Sequence, residues 1–103
     1  MTFDARLRIN DRVATIELKG ELDAKTAPQF HETITSAAQA GSIELVIRAE
    51  HLTYLSSAGL RSLVFARQHM GDGTRIAVVG AADSVARTIR LAGFDYSIDL
   101  VDA

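Results

Sequence analysis

The chain contains no cysteine. Disulfides, thiolate zinc sites, iron–sulfur ligation and cysteine nucleophiles are excluded together. Proline occurs once and glycine seven times in 103 residues, while 48% of the residues are hydrophobic. That is a globular composition, neither disordered nor fibrous. There is no dense run of lysine or arginine, and 11 basic against 13 acidic residues leave a formal net charge of −2. Nucleic-acid binding rests on neutralising phosphates, so a nucleic-acid partner is not expected. No apolar stretch approaches the ~18–20 residues that cross a bilayer. Met1-Thr2-Phe3-Asp4 has neither the basic nor the apolar region of a signal peptide. The expectation is one cytoplasmic domain over residues 1–103, without membrane insertion, long enough to fold without disulfides or metals.

What is present is an alternation of strands and helices. Leu7 and Ile9 alternate with Arg6 and Arg8, Asn10-Asp11 marks a turn, and Val13, Ala14, Ile16 and Leu18 alternate with Thr15, Glu17 and Lys19. These residues predict an antiparallel hairpin. Gly20-Glu21-Leu22-Asp23 reads as a loop. Thr26 and Gln29 have capping-box spacing before a helix whose apolar face is Ala27, Phe30, Ile34, Ala37 and Ala38, with Gly41 as terminator. Ile43 to Ile47 reads as a strand covered on both faces, and Glu50 to Leu55 as a connection of uncertain type.

Ser56-Ser57-Ala58-Gly59 opens a second helix, with Leu60, Leu63, Val64 and Met70 as its buried stripe, widened by Phe65 and Ala66, and Gly71-Asp72-Gly73 as its end. Ile76 to Val79 is a further strand closed by Gly80. Asp83 or Ser84 caps a third helix with Val85, Ile89 and Ala92 inward, ended by Gly93, and Tyr96, Ile98 and Leu100 alternate in a last short strand. The order β-β-α-β-α-β-α-β, with right-handed crossovers, predicts an α/β domain: a mixed, mainly parallel sheet with helices packed on it.

Few residues offer chemistry. His31, His51 and His69 are not paired at metal-ligand spacing, and His31 reads as solvent-facing. Glu21 and Asp23 form a pair that acid/base catalysis could use, or simply a polar turn. Gly71-Asp72-Gly73 follows a helix, the wrong order for a dinucleotide cradle. The informative segment is Ser56-Ser57-Ala58-Gly59. One serine is explained as a helix cap. Gly59 in a first turn costs about 1 kcal/mol against alanine, and a small residue there admits close approach of another chain or a phosphate. The helix start favours an anion. Two readings stand on the residues alone, a cap and a phosphoserine or anion site.

Tyr54-Leu55-Ser56-Ser57-Ala58-Gly59-Leu60-Arg61-Ser62-Leu63 resembles the signature of STAS domains, specifically of bacterial anti-sigma factor antagonists. The resemblance covers the whole chain. Gly20-Glu21-Leu22-Asp23 before Thr26-Ala27-Pro28, Gly73 to Gly80, and Val85 to Phe94 match in order. It implies a binding module that is no enzyme and uses no cofactor or metal. Such a module binds an anti-sigma factor that is also a serine kinase and so frees a sigma factor for transcription. Phosphorylation at the start of the second helix breaks the complex, and a PP2C-type phosphatase resets it.

Two departures bear on the site. Many members read Asp-Ser-Ser-Gly, with the acceptor directly before the glycine. Here Ala58 holds that position and Ser56 replaces the Asp, so Ser57 is the expected phosphoacceptor and Ser56 the second choice. Arg48 stands where the third strand often ends in Asp, a cation expected close to the site. The implied partner surface comprises Glu21, Asp23, Ser56, Ser57, Ala58, Gly59, Arg61 and Ser62, with Arg61 and Ser62 as exposed contacts. An alternative is a STAS subunit that regulates the ATPase of a lipid-transport ABC complex, because Ser-Ala-Gly-Leu also occurs in that branch. Nucleotide binding near Asp23 is a weaker idea, with no Gly-rich or Lys-bearing loop behind it.

Overall fold

Residues 3–103 are described by the computed structural model. Met1 and Thr2, half of the segment read as lacking a signal peptide, lie outside the described residues. Strand β1 (Asp4–Asn10) and strand β2 (Val13–Leu22) form the antiparallel hairpin. Asp11 and Arg12 join them at φ 51° and 67°, the doubly left-handed turn whose twist matches the strands. Helix α1 (Ala27–Gln39), strand β3 (Glu44–Leu55), helix α2 (Ser57–Met70), strand β4 (Arg75–Val79), helix α3 (Asp83–Leu91), a 3-10 turn (Phe94–Tyr96) and strand β5 (Asp99–Val101) follow.

The five strands lie in chain order β1-β2-β3-β4-β5, with β2 to β5 parallel. Each parallel crossover therefore steps one strand in the same direction. Right-handed crossovers of that kind put every helix on one face of the sheet. Phe30, Ile34, Leu63, Ala66, Val85 and Ile89 from the three helices share one core with Ile16, Leu18, Leu45, Ile47, Ile76 and Val78. The opposite face is open. This corrects the expectation of double cover for the third strand: Leu45, Ile47 and Ala49 are buried, but Val46 and Arg48 are half-buried and Ile43 is 53% exposed.

The main departures concern where strands end. Gly20, Glu21 and Leu22 continue β2 and do not form a loop. Gly20 sits at φ 99°, at an irregularity in the pairing with β3, a conformation glycine adopts without penalty. Glu50 to Leu55 is strand, the second half of β3. Its register with β2 slips twice, so the buried residues Ala49, Leu52 and Leu55 recur every third position. A bulge inserts one residue and breaks the period of two, which is why this segment carries no strand signature.

Caps also differ. Thr26 makes no side-chain cap bond to α1. Its hydroxyl donates to Glu21 O at 2.8 Å and accepts from Asp23 N at 2.9 Å, while Asp23 Oδ1 accepts from Lys25 N and Thr26 N. Asp23 thus supplies the turn-forming side chain expected of Thr26 and Gln29. Neither Asp83 nor Ser84 caps α3; Ala82 holds that position without a side-chain bond. Ala92 is exposed beyond the helix, and Tyr96 lies in the 3-10 turn, 95% exposed, so the last strand starts only at Asp99.

Candidate functional site

The site lies where β2 and β3 end and α2 begins. Leu22 and Leu55 are register partners at the ends of their strands, and Ser56 N donates to Leu22 O at 3.0 Å. That bond carries the chain from β3 across the end of β2 and into α2. Carboxyl ends of parallel strands are where α/β sheets commonly place binding surfaces.

Within Ser56-Ser57-Ala58-Gly59 the two serines have separate situations. Ser56 is extended, and its Oγ accepts from Gly59 N at 3.1 Å. It is the helix cap. Ser57 is the first helical residue; it is exposed, and its hydroxyl makes no hydrogen bond among the described residues. Cap and candidate acceptor are therefore different residues.

Gly59 is buried for a reason other than the one its sequence context offered. A Cβ at this position would lie 2.5 Å from Leu22 O and 2.8 Å from Leu55 Cδ1. The close approach is made by the chain's own strand ends, not by a partner. Ser62, expected as an exposed contact, is fully buried. It sits on the α1-facing side of α2, where its Oγ lies 2.8 Å from His31 Nε2 and donates to Ala58 O at 3.4 Å. Gly59 and Ser62 shape the surface from below, whereas Glu21, Ser57 and Arg61 are exposed on it. Asp23 and Ala58 are half-buried, Asp23 bonded into its own turn.

Arg48 does not serve this site. It pairs with Glu50 through two bonds of 2.9 and 2.8 Å, seven residues up β3 from Leu55, roughly 20 Å at ~3.3 Å per strand residue. His31, read as solvent-facing, is half-buried. Its ring stacks on Phe65 at 4.2 Å between centroids, and Phe65 stacks on His69 at 4.6 Å. Burial pushes the His31 pKa below the usual histidine value. Of the apolar α2 residues, Leu63 is buried, Leu60, Phe65 and Met70 pack partly on the core, and Val64 is half-buried.

Sequence reasoning missed Tyr54, 52% exposed beside Glu21. Counted by alternation from the buried Leu52 it should point inward; the bulge at Thr53 turns it out. Among the described residues there is no cluster of three metal-ligating side chains, and no helix is long and apolar enough to cross a membrane.

Comparison with known proteins fixes the family. A family model described as "Mlab, STAS domain" matches residues 5–102. The anti-sigma-F factor antagonist RsfB of Mycobacterium tuberculosis is 30% identical over 88 residues, 85% of this chain and 72% of that protein. A Staphylococcus aureus anti-sigma-B factor antagonist is 23% identical over 94 residues, 90% of this chain and 87% of that one. The crystal structure of an anti-sigma factor antagonist from Mycobacterium paratuberculosis superposes with a TM-score of 0.88 at 27% identity, covering 97% of this chain and 86% of that one. With the sheet order, the helix-start serines and these matches together, the chain belongs to the STAS domain family, among relatives that are anti-sigma factor antagonists.

Proposed function

We propose that this protein is an anti-sigma factor antagonist, switched off by phosphorylation of Ser57. In this reading it binds an anti-sigma factor that is also a serine kinase, through the surface formed by Glu21, Asp23, Tyr54, Ser57 and Arg61. The observation that carries the reading is the division of labour at the α2 start: Ser56 caps the helix while the Ser57 hydroxyl is exposed and uncommitted. The kinase would supply ATP. Ser57 Oγ attacks the γ-phosphorus, the bond to ADP breaks, and the hydroxyl proton passes to a base on the kinase. A PP2C-type phosphatase would return serine and inorganic phosphate by hydrolysis. The protein is then substrate and binding module rather than enzyme, needs no cofactor of its own, and works in the cytoplasm.

A phosphate adds about −1.5 to −2 charges. On a packed interface a penalty of ~4 kcal/mol lowers affinity nearly a thousandfold. The first turn of α2 contains no acidic residue, so an added anion meets the positive end of the helix without local repulsion. Modification then changes the surface and leaves the fold standing.

A second reading is the STAS subunit of a lipid-transport ABC complex. It is supported by Ser57-Ala58-Gly59-Leu60 and by a family description that names Mlab. The test is intact mass and site mapping on protein isolated from its native host under phosphatase inhibition. One phosphoryl group on Ser57 is the expected result. An unmodified chain across growth and stress conditions, copurifying with an ATPase and a permease, would replace the first reading with the second.

A further inference from the structure

We infer that Arg61 is the counter-ion of a phosphate on Ser57, so that modification adds an anion to α2 and at the same time withdraws the cation beside it. The inference rests on the modification reading above and concerns what the site does once modified.

Ser57 and Arg61 are four residues apart in α2 and both are exposed. Residues so spaced share a helix face, with Cβ atoms ~5–6 Å apart. Cα–Cβ bonds tilt toward the helix N-terminus, so the long side chain at the later position leans back over the earlier one. From there the Arg61 guanidinium can reach a phosphate carried on Ser57. Ser56 is five residues away, about 140° around the helix at ~100° per residue, and its Oγ already holds the Gly59 amide. The geometry thus favours one serine of the pair.

Arg61 is also uncommitted. The ion pairs among the described residues are made by Arg6, Arg48 and Arg75. Arg67, in the same helix, spends both terminal guanidinium nitrogens on backbone carbonyls. A guanidinium presents parallel N–H donors that match two phosphate oxygens. Before modification that fork is available to a carboxylate on a partner. Afterwards it turns to the phosphate. A single group transfer removes an attractive contact and introduces a repulsive one.

The test installs phosphoserine at position 57 during synthesis, through an expanded genetic code, so no kinase is needed. The second ionisation of the phosphate, ordinarily ~6, is followed by phosphorus NMR at low salt. The chain with Arg61 should titrate ~0.5 pH unit below the Arg61→Gln variant, the differential a charge-assisted pair of this kind produces. Arg61→Lys should keep part of the shift. Arg87→Gln, the same charge change on the exposed side of α3, should leave it in place. Raising salt toward ~1 M, where screening acts beyond ~3 Å, should close most of the gap. Equal values with and without Arg61, or an equal effect from Arg87→Gln, overturn the pairing. Absence of the modification in the native host overturns the switch reading instead, and the NMR result stands apart from it.

Discussion

The two ends of α2 are built on opposite terms. At the C-terminal end Arg67 donates to Gly71 O and Ser97 O, each at 3.0 Å, and to Thr74 O. Thr74 Oγ1 donates to Met70 O at 2.8 Å. One guanidinium satisfies a carbonyl past the last helical turn, ties the helix to the approach to β4 and to the loop before β5, and sets a positive charge at the negative end of the helix. Arg67 Nε is buried without a partner, a cost this clamp tolerates. At the N-terminal end the fastenings are backbone and small side chains only: Ser56 N to Leu22 O, Gly59 N to Ser56 Oγ, and glycine against strand ends. Ser57 and Arg61 stay outside them. A helix fixed this way would keep its position under the proposed modification of Ser57, as a switch acting on partner affinity requires.

The comparison breaks most severely at Gly59. Gly59→Ala puts a methyl 2.5 Å from Leu22 O, which is backbone and cannot swing aside. The helix start must move off the strand ends. A loss of ~3 kcal/mol is expected, a fall in Tm of ~12 °C or more. A Tm within a few degrees of the parent would show that the glycine is not what seats the helix. Next is Arg67→Gln, which leaves several carbonyls without a donor and should remove ~2 kcal/mol. Urea unfolding measures it, and a loss below that of the Ser56 cap would mean the clamp is ornamental.

The serines sharpen the contrast on a smaller scale. Ser56→Ala removes a cap and should cost ~1 kcal/mol. Ser57→Ala removes an exposed hydroxyl and should change stability by less than ~0.5 kcal/mol. Denaturant midpoints of the two variants decide the assignment: equal losses would mean that Ser57 shares the cap and is not free to serve as acceptor.

The element order and most helix boundaries were legible because hydrophobic periodicity and glycine stops act locally. Gly41, Gly71 and Gly93 sit at the helix ends with positive φ, where the sequence places them. Ser57 was singled out by the resemblance of the α2 start to the STAS signature; the residues alone left open which serine caps the helix, and the structure gives the cap to Ser56. The second half of β3 was not. Its inward residues Ala49, Leu52 and Leu55 follow a spacing of three imposed by bulges against β2, and pairing with a distant strand leaves no mark in the segment itself. Tyr54 was missed on that account. Ser62 was misplaced because a serine on a helix reads as surface, while its neighbour His31 arrives from another element 31 positions away. The position of the α2 start was readable in the sequence; the buried residues that support it were not.

That buried support yields the smallest effect and a pH signature. His31 joins α1 to α2 through its stack on Phe65 and its bond with Ser62, and burial lowers its pKa. The unfolded chain titrates near the ordinary histidine value of ~6.5, and the folded chain lower. Above ~6.5 both states are neutral at this residue and it adds no pH dependence. As pH falls through ~6.5 the unfolded state takes the proton first, so stability declines, and the whole loss is in place once pH has passed the lower folded value. His31→Gln removes this group but leaves His51, His69 and every carboxylate. Its Tm should therefore fall less than that of the parent between about pH 7.5 and about pH 5.5. Parallel slopes for the two chains would assign the decline to other groups and leave the α1–α2 contact indifferent to protonation.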